Sequence, residues 1–560
     1  MDNPDKLPDK QIQSRAMNLT AHLDFITKAH PDKPAFIFFS PRSKRWDTIT
    51  FTQLADSTQR FASGLQACSL TPNMRAAVMT PPSIEFFALT FAMLKLGIVP
   101  ITVDPAIGLR KVTACFNESK PDIFIGNRVT HFLRRIYGWG KQTIKINTSI
   151  PSLLQIPVLS EIEGTNYQLP ITNPQSPIPN LQSLISPSSP AAIIYTSGST
   201  GIPKGVLYTQ ANFAAQLDML QNTFEISPNE IDLPAFPLYA VIDVLLGVTS
   251  VIPDINFPVP GKTNPIKVIN AIQQFNVTNM FASPVVLDIL AKYGIDQNIK
   301  LPSLKRVITA GAPASTQLQK RFRNLLCDET DLFGIYGSTE TLPIAKIESR
   351  EIFGDVQHKT AQGAGICLGK PVDGATVCII EITDDAIEFW QDSLEVKPNV
   401  IGEITVRGAA VTRSYIAREE ANLLSKIKCG DEIIHRMGDV GYFDEQGRLW
   451  YCGRKSHRVI TKDDVLFTEQ IEGIFNEHPE IYRTALVGVM GKPVLWIELK
   501  RNAHANKDKI KKELIGLAKD HPQTSKIKTF LFMKKFPTDV RHNSKIIREQ
   551  LTALAEKKLA

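Results

Sequence analysis

Cysteine is scarce and unpatterned in this chain. Seven occur among 560 residues (Cys68, Cys115, Cys327, Cys367, Cys378, Cys429 and Cys452), with no C-x-x-C pair. That excludes a disulfide frame or a zinc ribbon and fits a reducing compartment, the cytoplasm. An excess of one charge is also missing. The 63 Lys and Arg against 56 Asp and Glu leave +7, modest for this length, and no long basic run occurs. Nucleic acid is therefore not an expected partner. Long hydrophobic runs are absent too. The most apolar stretch, Phe86 to Ile101, is broken by Lys95 and is too short to cross a bilayer, so it is read as a buried helix leading into a strand. No integral membrane association is expected, and the polar, charged Met1–Arg15 does not resemble a signal peptide. No internal repeat or low-complexity tract stands out.

What remains is the profile of a globular enzyme: 43% hydrophobic and 21% charged residues over a length that exceeds one ordinary core. Strand and helix signals alternate. Thr50 caps an amphipathic helix carrying Leu54, Phe61 and Leu65, and Arg75–Met79 reads as a strand. A helix from Ser83 to Gly97 precedes a strand at Val99–Val103, and another strand follows at Pro121–Gly126. After a Pro-, Ser- and Asn-rich connection at 150–190, helices near Gln210–Leu220 and Pro265–Phe275 flank an apolar segment, Val241–Pro253. Strands are expected at Thr278–Ala282 and Lys305–Ala310. This alternation argues for α/β architecture with mostly parallel sheets. Residues 400–452 change character to period-two alternation around the Asp444–Gly447 turn, a small antiparallel unit. Beyond Gly453-Arg454 the chain becomes charged and reads as a compact α+β piece, with a domain boundary at 453–457.

The most informative stretch is Tyr195-Thr196-Ser197-Gly198-Ser199-Thr200-Gly201-Ile202-Pro203-Lys204-Gly205, directly after the apolar strand signal Ala191–Ile194. Glycines let backbone approach a ligand, hydroxyls and successive N–H groups make an anion nest, and Lys204 adds positive charge. The chemistry suggested is a polyphosphate cradle, though its spacing is not that of the common NTPase loop. A flexible Gly/Ser linker shares the composition; the apolar run and the lysine argue against it.

The same string resembles the phosphate loop of the acyl-adenylate-forming enzymes, which include acyl-CoA synthetases, luciferases and peptide-synthetase adenylation domains. Three further motifs follow in the family's order. Tyr336-Gly337-Ser338-Thr339-Glu340 resembles Tyr-Gly-x-Thr-Glu. The resemblance implies Tyr336 against adenine, Thr339 on phosphate oxygens and Glu340 on Mg²⁺, an ion that takes oxygen ligands. Read from the residues alone, this string would be an ordinary strand-turn-helix junction. Met437-Gly438-Asp439 resembles Thr-Gly-Asp, whose carboxylate holds both ribose hydroxyls, and Arg454 resembles an arginine contacting ribose or phosphate. Gly402-Glu403-Ile404 resembles a more structural motif. Arg541-His542-Asn543-Ser544-Lys545-Ile546 would be a solvated basic patch on composition. By resemblance its Lys545 reaches the substrate carboxylate and α-phosphate, with Ser544 where the family has glycine. Lys545, Thr339, Glu340 and Lys204 are thus the expected catalytic set. Residues 196–201, Lys204, Gly311-Ala312-Pro313 and 336–339, with Asp439 and Arg454, are the expected nucleotide contacts.

Membership implies an acyl-CoA synthetase-like, multidomain α/β fold. Residues 1–453 would form a large N-terminal AMP-binding domain of two α/β layered subdomains plus a small β-barrel-like one. Residues 454–457 would be a hinge and 458–560 a small mobile α+β C-terminal lid. The shared reaction joins a carboxylate to ATP, giving acyl-AMP and pyrophosphate with Mg²⁺ as cofactor. For the second step, Ser456 stands at the usual Asp or Lys hinge position, and Asp463 or Asp464 where coenzyme A ligases keep a tunnel glycine. Phe236–Ala240, Leu246–Asp254, Ala310–Pro313, His435–Phe443 and the Arg541–Ile546 string look like the β-lactone synthetases of long-chain olefin biosynthesis. That likeness implies a small-molecule 3-hydroxy fatty acid cyclised with release of AMP. Phe236 and Tyr239 are pocket candidates, and Asp243 and His435 are weak candidates for a general base. A fatty acyl-CoA or acyl-carrier-protein ligase and a non-catalytic scaffold remain alternatives, the scaffold opposed by the intact Lys204, Thr339, Glu340, Asp439 and Lys545. Pathway enzymes are conceivable partners; oligomeric state is not legible.

Overall fold

Short apolar runs of four to six residues, separated by capped helices, build most of this structure. The computed structural model describes residues 19–41, 43–155, 185–196, 203–500, 506–539 and 545–560. The chain divides into two compact units. One comprises Met1–Pro258, Asn264–Phe281 and Thr412–Glu419; the other comprises Val259–Thr263, Ala282–Val411 and Glu420–Ala560.

The first unit contains two sheets. In one, Val99–Thr102, Arg75–Met79, Ile123–Gly126 and Ile146–Thr148 run parallel side by side, and Pro190–Tyr195 joins parallel to Val99–Thr102. Gly205–Thr209 then pairs antiparallel with Pro190–Tyr195. In the other sheet, Asn279–Phe281, Ile231–Pro234, Thr249–Ile252 and Pro34–Ser40 run parallel, edged by the antiparallel Arg45–Thr50. The helices sit where the sequence signals ask. Thr50 and Gln53 form a capping box at Phe51–Ala67, while Ser83 caps Ile84–Leu96, which ends on left-handed Gly97. The apolar segment 241–253 resolves into a helix, Pro237–Leu245, and a strand, Thr249–Ile252. Periodicity alone does not divide such a run. Of the 150–190 connection, residues 156–184 lie outside the described residues.

The second unit begins with parallel strands Arg306–Thr309 and Asp331–Ser338. Antiparallel pairings then lead through Thr341–Glu348, Ile366–Pro371, Leu449–Arg454, Glu432–Phe443, Gly402–Arg407 and Thr376–Ile380. The antiparallel part expected at 400–452 thus reaches back to Thr341. Residues 481–499 form a hairpin joined by Thr529–Met533. Side chains alternate across it as a pleated strand requires. Leu486, Leu495 and Ile497 pack with Phe475, Ile510 and Leu514 on one face, while Val487, Val494 and Trp496 pack with Leu551 and Ala555 on the other. Arg548 crosses this layer to pair with Glu472, Nη2 to Oε2 at 3.0 Å.

Trp139 anchors the first unit's parallel sheet. Its side chain is fully buried among Phe116 and Phe124, at ring-centroid distances of 5.9 and 6.4 Å. Its indole N–H has no hydrogen-bond partner among the described residues, so the residue acts through volume. Trp139→Ala should therefore destabilise the protein by about 3–5 kcal/mol, and Trp139→Phe by only about 1–2 kcal/mol, read from urea denaturation midpoints.

Candidate active site

In the first unit the phosphate-loop motif sits on an antiparallel hairpin. Thr196 N–H donates to the Lys204 carbonyl at 3.0 Å, and Lys204 N–H reaches Thr196 Oγ1 at 3.4 Å, closing the loop at its base. Ser197, Gly198, Ser199, Thr200 and Gly201 lie outside the described residues. The Lys204 ammonium lies 4.9 Å from the Tyr415 ring centroid. Tyr415 was not singled out from sequence; it arrives through Ser414–Tyr415, which pairs with Gly205–Thr209 far away in the chain.

Phe236 and Tyr239 belong to the same unit. Phe236 is the N-cap residue of Pro237–Leu245, and Tyr239 is buried with its ring stacked on Phe281 at 3.4 Å. Asp243, on the same helix, accepts from Ser250 Oγ at 2.9 Å. Burial, then the charge of neighbouring Asp232, holds its carboxyl well above the usual carboxylate range. His435, in the second unit, is buried with Nδ1 3.1 Å from the Ser425 carbonyl oxygen.

The second unit gathers the other motifs. Arg306–Thr309 and Asp331–Ser338 are parallel, so their carboxyl ends share an edge. Gly311-Ala312-Pro313 follows the first of these, Gly311 with φ +90°. The second ends in Gly337-Ser338, and Thr339-Glu340 form the turn of an antiparallel hairpin in which Ser338 opposes Thr341. The bland expectation of a strand-turn-helix junction therefore gives way to strand-turn-strand. Glu340 is buried, and its N–H donates to Ser338 Oγ at 3.3 Å.

Asp439 is the centre of this group. The register of Glu432–Phe443 against Leu449–Arg454, closed by the Asp444–Gly447 turn, sets Asp439 opposite Arg454. Gly438 turns into the left-handed region at φ +66°, which a side chain would resist. Tyr336 Oη donates to Asp439 Oδ2 at 2.7 Å, and Arg454 Nε lies 3.2 Å from Oδ1. Arg454 Nη1 donates to the Met437 carbonyl at 3.1 Å. Buried Oδ1 accepts no aligned hydrogen bond among the described residues. Burial raises the Asp439 pKa; Arg454, the Tyr336 hydroxyl and the Lys545 charge oppose that rise, and Glu340 adds to it. In return, Asp439 holds Arg454 more firmly protonated. Lys545 is set by its backbone: its N–H donates to Asp539 Oδ1, and its carbonyl accepts from Asp539 N–H, both at 3.0 Å. Tyr336, Glu340, Asp439, Arg454 and Lys545 thus act on one another within one unit.

The chain belongs to the AMP-binding enzyme family, whose pattern it matches over residues 24–416. It is 38% identical to an olefin beta-lactone synthetase of Xanthomonas campestris, with 96% of this chain and 97% of that protein covered. To an olefin beta-lactone synthetase of Stenotrophomonas maltophilia it is 35% identical, over 98% and 99%. Among solved structures, O-succinylbenzoate coenzyme A synthetase from Bacillus subtilis, in complex with AMP, superposes with a TM-score of 0.72 at 21% identity, covering 95% of this chain and 97% of that one. An amide bond synthetase from Marinactinospora thermotolerans gives 0.75 at 18%, covering 96% and 99%. The fold is therefore that of the acyl-adenylate-forming enzymes.

Sequence reading left Glu403 as a motif residue without a partner. In the structure it is fully buried and accepts from Arg436 Nη2 at 2.6 Å and from Lys455 Nζ at 3.0 Å. Lys455 lies in the expected hinge, and its Nζ also donates to the Thr383 carbonyl at 2.8 Å. Just before it, Gly453 has φ +136°, and a Cβ there would sit 2.3 Å from Thr468 Oγ1. Glu403→Gln removes the carboxylate that ion-pairs with the buried Arg436 guanidinium, although two carbonyls still accept from it. A loss of about 3 kcal/mol in unfolding free energy is expected by chemical denaturation.

Proposed function

We propose that this enzyme adenylates the carboxylate of a 3-hydroxy fatty acid and closes the acyl-AMP to a β-lactone, releasing AMP. The observation that carries this reading is the similarity to two olefin beta-lactone synthetases along nearly the whole of all three chains. In the first step a carboxylate oxygen attacks the α-phosphorus of ATP, and the bond to pyrophosphate breaks. In the second the substrate's 3-hydroxyl oxygen attacks the acyl carbon and gives up its proton, and the bond from that carbon to AMP breaks. The hydroxyl and the carbonyl belong to one molecule, so holding the chain folded is a proximity effect and no third substrate enters.

The residues are assigned accordingly. Asp439 Oδ1, buried and lacking an aligned donor among the described residues, fits the acceptor a ribose hydroxyl needs, and Tyr336 and Arg454 oppose the upward push of burial on its pKa. Tyr336 offers its ring to adenine. Thr339 and Gly311–Pro313 serve the nucleotide at the shared strand edge. Glu340 fits as the carboxylate ligand of Mg²⁺, which when bound neutralises phosphate charge; such a site uses one or two carboxylates with phosphates and water. Lys204 and the loop it closes offer N–H groups, hydroxyls and a charge suited to a polyphosphate. Lys545 offsets the repulsion between two anions, the carboxylate and ATP. Residues 458–560 act as the lid and 454–457 as its hinge. At the tip of the Val459–Leu466 hairpin, exposed Asp463 and Asp464 oppose a pantetheine tunnel, and Asp464 Oδ2 lies 3.4 Å from Lys526 Nζ. Seven free thiols support a reducing, cytoplasmic location, and no helix among the described residues is long and apolar enough to cross a membrane.

Incubation with ATP, Mg²⁺ and a racemic 2-alkyl-3-hydroxy acid, with and without coenzyme A, tests the reaction. Mass spectrometry should find AMP and a product one water lighter than the acid without coenzyme A. A thioester formed only when coenzyme A is present would reject the lactone reading. The ribose assignment has its own test. Tyr336→Phe keeps the ring but removes a hydrogen bond that lowers the Asp439 pKa. The carboxylate then protonates at higher pH, so the acid limb of kcat/KM for ATP should move upward in pH. KM for ATP at neutral pH should rise about fivefold to tenfold.

A further inference from the structure

The helix Arg128–Tyr137 lies between two adjacent parallel strands, Ile123–Gly126 and Ile146–Thr148. It is firmly built. Asn127 and Thr130 form a capping box, and Gly138 ends the helix at φ +67°. One face is committed to the protein. Leu133 and Tyr137 pack on the cluster around Trp139, the Arg134 guanidinium covers the Phe124 ring at 5.7 Å, and His131 Nε2 lies 3.0 Å from the Thr148 carbonyl oxygen.

The opposite face is apolar and uncovered. Val129, Phe132 and Ile136 are 64%, 63% and 59% exposed, although no residue of this helix needs that face for its own attachment. At 3.6 residues per turn, the three fall within an arc of about 60°, and exposed Arg128 and Arg135 occupy the adjoining arc of about 60°. Three large apolar side chains standing together in ten residues differ from the scattered exposed leucines any surface carries. Between Asp122 and Glu161 the charge along the chain is one-sided. From Ile123 to Gln155 the chain has Arg128, Arg134, Arg135, Lys141 and Lys145 and no Asp or Glu, in a protein whose whole excess is +7.

We propose that this face seats the enzyme reversibly on an anionic lipid surface, with Phe132, Ile136 and Val129 entering the headgroup–acyl boundary and Arg128 and Arg135 meeting lipid phosphates. An apolar stripe edged by arginine is what that boundary favours: apolar area gains by insertion, and each cation gains from the negative surface potential. The charge distinguishes this occupant from a generic protein groove, because a full segment without a carboxylate repels basic partners and neutral ones gain nothing from it. The inference stands apart from the reaction proposed above. It needs none of the nucleotide-site residues, and it survives if the product is a thioester.

The test is co-sedimentation of the full chain with vesicles of phosphatidylcholine alone or mixed with phosphatidylglycerol. Binding to the mixed vesicles that falls as salt is raised is expected. Phe132→Ser with Ile136→Ser should weaken it roughly tenfold. Arg128→Gln with Arg135→Gln should weaken it by a similar factor, about threefold to fivefold per charge. AMP formation from a soluble short-chain acid should be unchanged in both pairs. These positions face outward, and circular dichroism checks that both variants fold. No binding, equal binding to neutral vesicles, or binding that neither pair alters overturns the proposal. So does sedimentation velocity showing that the serine pair splits a wild-type dimer that does not bind vesicles, which would make this face an interface between copies.

Discussion

A buried carboxylate stays ionised only if its surroundings repay the hydration it loses, and Asp439 is arranged around that constraint. Its two oxygens are served from different strands. Tyr336 comes from the hairpin at 331–348, and Arg454 comes from the strand that pairs with Asp439's own. A one-residue slip between 432–443 and 449–454 would turn Arg454 to the other face of the sheet and leave the charge uncompensated. The Asp444–Gly447 turn, left-handed Gly438 and the register therefore serve one electrostatic purpose. The residue after Arg454, Lys455, carries the same logic onward. It ties the expected hinge to Glu403, another buried acid whose charge is met by two cations. Asp439's partner Arg454 and Glu403's partner Lys455 are thus adjacent residues on one short run of backbone.

Much of the architecture was legible in sequence because the signals were local. Thr50 with Gln53, Ser83 with Gly97, and the period-two pattern around Asp444–Gly447 each depend on neighbours within a few residues. The motifs themselves were legible through their resemblance to a known family, and Tyr336, Glu340, Asp439, Arg454 and Lys545 lie in one unit. Where local signals were ambiguous, expectation and structure part. The segment 241–253 held a helix and a strand, and Gly337–Glu340 turned into a strand instead of a helix, since Thr341–Glu348 finds its partner only in the assembled sheet. Tyr415 beneath Lys204, and the Arg436 and Lys455 that surround Glu403, were out of reach because their partners are distant in the chain.

The helix at 128–137 shows the converse. Its apolar residues have helical spacing, which ordinarily marks a core face, yet the core took Leu133 and Tyr137 and left Val129, Phe132 and Ile136 outside. Periodicity reports that a helix has two faces; which one is covered depends on the sheet it crosses and on the arc that Trp139 and Phe124 occupy.

By itself, then, the sequence determined the class of chemistry, the order of the motifs and the alternation of strands and helices, because these follow from side-chain type and short-range backbone preference. Tertiary structure alone decided that Tyr336, Glu340, Asp439, Arg454 and Lys545 share one electrostatic environment, that Glu403 is an anchor, and that one helix shows an apolar arginine-edged face. Each of those depends on strand register and burial, which set distance and dielectric between residues far apart in the chain, and neither quantity is written in any local stretch.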